Sequence, residues 1–131
     1  MIIEVTKENL KELNSSFFSK TWVEEEFSNN PYANFLVLLE NQEIIGFLYY
    51  SDIYDRAEIN QFEIMNNHRN CGKGDLLIKE FIKRVKKDIT LEVKEDNYPA
   101  IKIYEKNGFI KKAIRKNYYK NKDGILMERK Y

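Results

Sequence analysis

Apolar residues in the first half of the chain occur in short runs that are typical of β-strands, and two helical patterns lie between them. The strand-like runs are residues 2–5, "NFLVLLE", "EIIGFLYYSDIY" and "AEINQFEIM". Thr6 and Thr21 are predicted to cap helices in "TKENLKEL" and "TWVEEEFSNN", because a threonine hydroxyl accepts hydrogen bonds from the amides of a first turn. The polar segment 40–42 is predicted to be a hairpin turn between two of the strands.

The second half of the chain contains the strongest helical pattern, in "GKGDLLIKEFIKRVKK". Its apolar stripe consists of Leu76, Leu77, Ile78, Phe81, Ile82 and Val85. A strand centred on Leu91 follows, and then a helix that begins near Pro99 and stops at Gly108, since these residue types suit a first turn and a left-handed end. The segments "FIKKAIRKNYYK" and "ILMERKY" are predicted to form a last hairpin, with its turn around "NKDG".

The order of these elements is β-α-α-β-β-β-α-β-α-β-β. It predicts an α/β fold with a mixed sheet and helices on both faces, in a single domain that spans residues 1–131. The chain has 131 residues, of which 43% are hydrophobic, so a packed core is expected.

Charge and composition exclude several classes of protein. Twenty-two basic and 21 acidic residues leave a net charge of +1, which disfavours a nucleic-acid or membrane-surface binder. The longest apolar runs, such as residues 44–50, are too short to span a membrane. Cys71 is the only cysteine, so neither a disulfide nor a cysteine metal cluster is expected. We expect a cytoplasmic protein that needs no metal.

A glycine-rich turn joins the third sheet strand to the main helix. The turn contains Arg69, Asn70, Cys71, Gly72, Lys73, Gly74 and Asp75. Glycines here let backbone amides approach a ligand, and the helix N terminus adds positive potential, so the turn is a candidate phosphate loop. It is neither a Walker loop nor a dinucleotide fingerprint. A flexible connector is the alternative explanation.

Glu92 and Tyr104 are candidate proton-transfer groups. Glu92 interrupts an apolar strand on the face opposite Leu91 and Val93. A strand rises about 3.3 Å per residue and a helix about 1.5 Å, so Tyr104 returns to roughly the level of Glu92. At neutral pH a carboxylate starts as a base and a phenol as an acid, so the pair suits a reaction that removes one proton and supplies another. Each also has an ordinary structural role, as a solvated strand residue and as a core residue.

Two other pairs of residues have open interpretations. His68 and Cys71 are close enough in sequence for a base and a nucleophile, but no third group or elbow motif accompanies them. Tyr118 and Tyr119 are interpreted either as hairpin packing or as one wall of a peptide slot.

The turn from Arg69 to Gly74 resembles the Q/R-x-x-G-x-G/A phosphate loop of the GNAT superfamily, the acetyl-CoA-dependent N-acetyltransferases. The resemblance implies the GNAT fold and acetyl-CoA as the acetyl donor. It implies that the loop residues bind the pyrophosphate and that the preceding strand binds the pantetheine arm through its backbone, at Phe62, Glu63 and Ile64.

The stretch "LEVKEDNYPAIKIYEKNGF" is similar to the bacterial subgroup that acetylates the N-terminal alanine of a small-subunit ribosomal protein. That similarity implies that Glu92 is the base, Tyr104 the acid and Asn97 a contact of the donor. It implies a protein or peptide N terminus as the acceptor. An acetyltransferase for a small amine and a non-catalytic acetyl-CoA-binding module are the alternatives. Asn66, His68 and Lys120 depart from the residues usual in the subgroup.

Overall fold

A computed structural model describes residues 1–13 and 15–131. The strands are β1 Ile2–Glu4, β2 Ala33–Glu40, β3 Glu43–Ile53, β4 Arg56–Ile64, β5 Asp88–Lys94, β6 Ile110–Tyr119 and β7 Lys122–Arg129. The α-helices are α1 Lys7–Leu10, α2 Lys20–Asn29, α3 Lys73–Val85 and α4 Tyr98–Lys106, and a 3₁₀ turn covers Asn66–His68. This order confirms the predicted one. In the described part of the chain, each helix is too short or too polar to cross a membrane.

The strands form one seven-stranded sheet in the order β1-β2-β3-β4-β5-β7-β6. Neighbouring strands are antiparallel except for β4 and β5, which are parallel and are joined by the crossover helix α3. The β2–β3 hairpin turns at Asn41 and Gln42, where φ is 53° and 66°. Two positive φ values suit the twist of a two-residue hairpin, so the predicted turn is confirmed.

Side chains of β3 alternate between two apolar cores, one on each face of the sheet. Leu48 lies in the core that contains Phe81 of α3 and Ile101 of α4. Phe47 lies in the other core, with Val23 of α2. The helices therefore cover both faces, as predicted from the alternating element types.

Two predicted details are wrong at helix positions. Ser19, not Thr21, caps α2, because its extended backbone lets its hydroxyl accept from the Trp22 amide at 3.1 Å. Leu76 is 53% exposed and does not belong to the buried stripe of α3. It precedes the fully buried Leu77 by one residue, and a rotation of about 100° per residue turns it away from the sheet.

The last turn also lies earlier than predicted. Tyr119 pairs with Lys122, so the turn is formed by residues 120 and 121, and Asp123 belongs to β7. The Asp123 carboxylate accepts a hydrogen bond from the Asn117 amide at 3.0 Å. Thr6 does cap α1 as predicted, in a capping box with Asn9.

Candidate active site

The sheet opens between its two parallel strands. β4 and β5 pair only from Arg56–Asp88 to Ile59–Leu91, and beyond Ile59 none of the described residues pairs with the β5-facing edge of β4. On its other side this end of β4 pairs with β3 up to Ile64. Its free backbone groups can therefore hydrogen-bond to an extended ligand.

A groove of about 750 Å³ lies along this opening, between β4, the start of α3 and one side of α4. Most of the predicted donor-binding residues line it. They are Phe62, Glu63, Ile64, Arg69, Asn70, Gly72, Gly74, Asp75 and Asn97. Segments that are far apart in sequence thus meet at one cavity of the size typical of small-molecule sites.

The predicted phosphate loop forms the end of this groove at α3. Gly72 has φ +83°, a left-handed conformation that other residues rarely adopt, and the first helical bond runs from the Leu76 amide to its carbonyl. No side chain in the described ranges caps α3. The amides of residues 73–75 therefore remain available at the positive end of the helix dipole, which is the arrangement that binds phosphate.

Arg69 holds the loop against β4. Its Nε donates to the Ile64 carbonyl at 2.8 Å, and its Nη1 donates to the Asn66 side chain at 3.2 Å. The guanidinium therefore braces the loop from inside while it adds positive charge to the groove.

Asp75 connects this loop to the end of α4. Its carboxylate accepts from Lys79 at 2.7 Å and from the Asn107 side-chain amide at 2.8 Å, and Lys106 lies 3.5 Å away. The hydrogen bond from Lys79, followed by that from Asn107, lowers the pKa of Asp75 to about 2. The carboxylate thus already accepts hydrogen bonds from cationic and amide donors. A phosphate bound at the loop would therefore contact the backbone amide of Asp75 rather than its side chain.

Two predicted loop residues direct their side chains elsewhere. Lys73 lies 2.7 Å from Glu40 on the β2–β3 hairpin, and its amino group is 2.9 Å from Nδ1 of His68. The Cys71 thiol donates to the His68 carbonyl at 3.0 Å. The His68 ring is therefore engaged by a lysine, and its contact with Cys71 runs through the backbone, which is not the geometry of a base and a nucleophile.

Asn97 lies at the N terminus of α4 and also lines the groove. Its side-chain oxygen accepts from the Ala100 amide at 3.4 Å, so it caps the helix. Sequence reasoning missed Lys102 and Lys106, which line the same side of the groove. Their spacing of four residues on one helix face was the available signal.

Glu92 is the first residue of β5 beyond the last pair with β4. Its neighbours Leu91 and Val93 are buried in the core below α3 and α4, so Glu92 lies on the opposite face. One oxygen, Oε1, is 2.9 Å from Nε of Arg115. The other, Oε2, is buried, and none of the described residues donates a hydrogen bond to it.

Tyr104 lies on the other face of the sheet, in the core with α3 and α4. Its ring packs against Phe62 at 6.1 Å and Phe109 at 5.5 Å between centroids, directly behind the groove wall. Burial, and secondly the charge of Tyr119, raise the pKa of Tyr104 above its ordinary value. The pKa of Tyr119 is itself raised by burial, then by Tyr118 and Glu92. Glu92 and Tyr104 thus lie on opposite faces beside the same opening, and neither lines the groove itself.

Residues 4–109 of the chain match the Acetyltransferase (GNAT) family. The chain belongs to the GNAT family. It is therefore an N-acetyltransferase, and acetyl-CoA is its acetyl donor. Among similar GNAT proteins, the [ribosomal protein bS18]-alanine N-acetyltransferase of Haemophilus influenzae is 35% identical over 124 residues, which cover 89% of this chain and 84% of that protein.

Solved GNAT structures share the fold. The ribosomal-protein-S18-alanine N-acetyltransferase of Escherichia coli matches with a TM-score of 0.81 and 23% identity, over 99% of this chain and 92% of that one. A GNAT family acetyltransferase from Elizabethkingia anophelis with acetyl-CoA bound matches with a TM-score of 0.78 and 20% identity, over 100% and 97%.

The lining of the groove suits a long, anionic donor such as acetyl-CoA. Among the described residues, no side chain caps the N terminus of α3 and no strand pairs with this edge of β4, and the same groove contains Arg69, Lys102 and Lys106. Anionic and extended portions of one ligand can therefore be bound at different places along it.

Proposed function

We propose that this enzyme acetylates a protein N-terminal α-amine, and specifically the N-terminal alanine of ribosomal protein bS18. The observation that carries the chemistry is the position of Glu92 at the point where β4 and β5 separate, with one carboxylate oxygen to which none of the described residues donates. The acceptor is supported by the Haemophilus influenzae relative, whose name states that substrate and which aligns with 89% of this chain.

Donor binding is assigned to the groove. The backbone amides from Asn70 to Asp75 and the positive end of α3 hold the pyrophosphate, and the edge of β4 at residues 62–64, beyond its pairing with β5, binds the extended arm. Acetyl-CoA supplies the acetyl group as a thioester, whose carbonyl carbon is open to attack by an amine. Asn97 lies at the start of α4, where it orders the groove wall that faces this arm.

Proton transfer is assigned to Glu92 and Tyr104. The Glu92 carboxylate takes a proton from the acceptor ammonium, directly or through a water molecule, and so frees the nitrogen lone pair. The Tyr104 hydroxyl keeps its proton at neutral pH, because burial raises its pKa, and donates that proton to the departing sulfur. An N–C bond forms and a C–S bond breaks. Of the two protons that the ammonium loses, one leaves through Glu92 and one restores Tyr104.

Glu92 and Tyr104 lie on opposite faces of the sheet, which suits their separate roles as base and acid. An amine that approaches from the Glu92 face would meet a carbonyl held in the opening, and the leaving sulfur would lie toward the Tyr104 face. A base and an acid on opposite sides of the reacting carbonyl are what direct transfer needs.

The test is mass spectrometry of a peptide that begins with alanine and contains internal lysines, after incubation with enzyme and acetyl-CoA. The matched control is the same peptide with its α-amine blocked. We expect one acetyl group, on the α-amine, and none on the blocked peptide. Acetylation of lysine, or acetylation of polyamines with no peptide product, would refute the acceptor and favour the small-amine alternative.

The bS18 assignment needs a second comparison. A peptide with the first residues of bS18 is compared with a peptide that keeps the first alanine and scrambles the following residues. We expect a higher kcat/KM for the bS18 sequence. Equal values would show that only the first residue is recognised and would remove bS18 as the specific acceptor.

A further inference from the structure

We propose that Arg115 is a positioning residue that orients the Glu92 carboxylate and determines which of its oxygens receives the proton. The inference rests on the proposed function, because it needs Glu92 to act as the base. It starts from the asymmetry of that carboxylate, with Oε1 held 2.9 Å from Arg115 and Oε2 buried without a donor among the described residues.

Arg115 reaches Glu92 from another strand. Glu92 pairs with Leu126 of β7, and Arg115 of β6 pairs with Gly124, two residues along the same central strand. The Arg115 side chain therefore crosses β7 diagonally to meet Glu92. The two strands are about 10 Å apart, twice the spacing of neighbouring strands, and the arginine and glutamate side chains together span this width.

Gly124 makes room for Tyr118 beside this crossing. A Cβ atom at position 124 would lie 3.1 Å from the Tyr118 side chain, so the aromatic ring occupies the space above the glycine. The Arg115 guanidinium in turn lies 5.6 Å from the centre of the Tyr118 ring. A cation over an aromatic face is attracted to it, so Tyr118 supports Arg115 in the orientation that meets Glu92. These contacts lie within the β6–β7 hairpin, so they fit the hairpin-packing interpretation of Tyr118.

The pair is poorly suited to stabilising the fold. The Arg115 side chain is 55% exposed, and half-exposed ion pairs contribute little to folding. The Glu92 side chain is only 17% exposed, and Arg115 is the ion-pair partner of its carboxylate. Fixing Oε1 leaves Oε2, to which none of the described residues donates, as the oxygen that gains most from an incoming N–H donor.

The experiment is steady-state kinetics of Arg115→Ala with the alanine peptide and acetyl-CoA. The matched control is Lys116→Ala, which removes a cation from the next position of the same strand, where the side chain is 82% exposed and pairs with Asp123. We expect Arg115→Ala to lower kcat about tenfold, because misplacing a reacting group by a fraction of an ångström slows turnover strongly. The KM for acetyl-CoA should stay within about twofold, and Lys116→Ala should behave like the wild type.

Two further readouts separate positioning from a structural role. Millimolar guanidinium, far below denaturing concentration, should restore part of the turnover of Arg115→Ala and leave Lys116→Ala unchanged. In a Glu92→Gln background the Arg115→Ala substitution should have no further effect, because residues that act as a unit are not additive.

Several results would overturn the inference. They are an Arg115→Ala enzyme with wild-type kcat, a tenfold loss that persists in the Glu92→Gln background, and a loss that guanidinium does not rescue in a folded protein. Should Arg115→Ala fail to fold, Arg115→Lys provides the same comparison, with a smaller loss expected. Absence of any α-amine acetylation by the wild type would instead refute the proposed function, so the two failures are distinguishable.

Discussion

The Asp75 carboxylate is expected to stabilise the enzyme by tying the phosphate loop to the end of α4. An ordinary aspartate has a pKa of about 3.9. Hydrogen bonds from Lys79 and Asn107 lower the pKa of Asp75 to about 2 in the folded state. A difference of about 1.9 units corresponds to about 2.5 kcal/mol of stability at neutral pH. The side chain is 20% exposed, so solvent screens part of these interactions. We therefore expect Asp75→Asn to lower the free energy of unfolding by about 1–2 kcal/mol.

The dependence on pH identifies the cause. A carboxylate with a lowered folded pKa contributes fully above its unfolded pKa, and the contribution disappears as the pH falls through the folded value of about 2. The difference between the wild type and Asp75→Asn should therefore shrink to about half by pH 3. Urea unfolding of both proteins, followed by circular dichroism at pH 7 and pH 3, measures this difference in unfolding free energy.

The control is Asp96→Asn, which removes a carboxylate that is 44% exposed and lies 3.3 Å from Lys122. We expect its unfolding free energy to change by less than about 0.5 kcal/mol. Two results would refute this role of the Asp75 carboxylate. One is an Asp75→Asn protein as stable as Asp96→Asn, and the other is an equal loss of unfolding free energy at pH 7 and pH 3.

Four other substitutions test the site and the fold. Gly72→Ala should weaken acetyl-CoA binding measured by calorimetry, because a left-handed residue with φ +83° costs about 1–2 kcal/mol for alanine; unchanged affinity would argue against the loop. Tyr104→Phe should lower kcat by about 10²-fold and leave donor affinity nearly unchanged, and wild-type turnover would remove Tyr104 as the acid. Ser19→Ala should lower the unfolding free energy by about 1 kcal/mol, whereas Thr21→Ala should have little effect; the reverse order would contradict the observed cap.

The order of elements could be predicted because its signals are local. The stripe through Leu77 and Phe81 lies within one helix, and the turn at Asn41 and Gln42 needs only neighbouring residues. The cap predicted at Thr21 is two residues from the observed one at Ser19, since local preferences place a helix more reliably than its ends, and the prediction for Leu76 is wrong because apolar character alone does not fix which face is buried.

The site could be predicted only in part. The glycine-rich turn from Arg69 to Gly74 is contiguous, so its spacing is readable, and Glu92 stands out against its apolar strand. The separation of β4 from β5 depends on how far two distant strands pair. The contact between Asp75 and Asn107 joins residues 32 positions apart, and that between Glu92 and Arg115 crosses an intervening strand. Side-chain contacts of this kind depend on tertiary register, which no local pattern specifies.

The role of Glu92 is tested most directly by measuring turnover and acetyl-CoA binding of Glu92→Gln on the same preparation. Glutamine has nearly the same shape but cannot take the proton of the acceptor. We predict a loss of about 10²-fold or more in kcat/KM for the alanine peptide, with acetyl-CoA affinity within about twofold of the wild type. Wild-type turnover in Glu92→Gln would contradict the assignment of the base at the opening between β4 and β5.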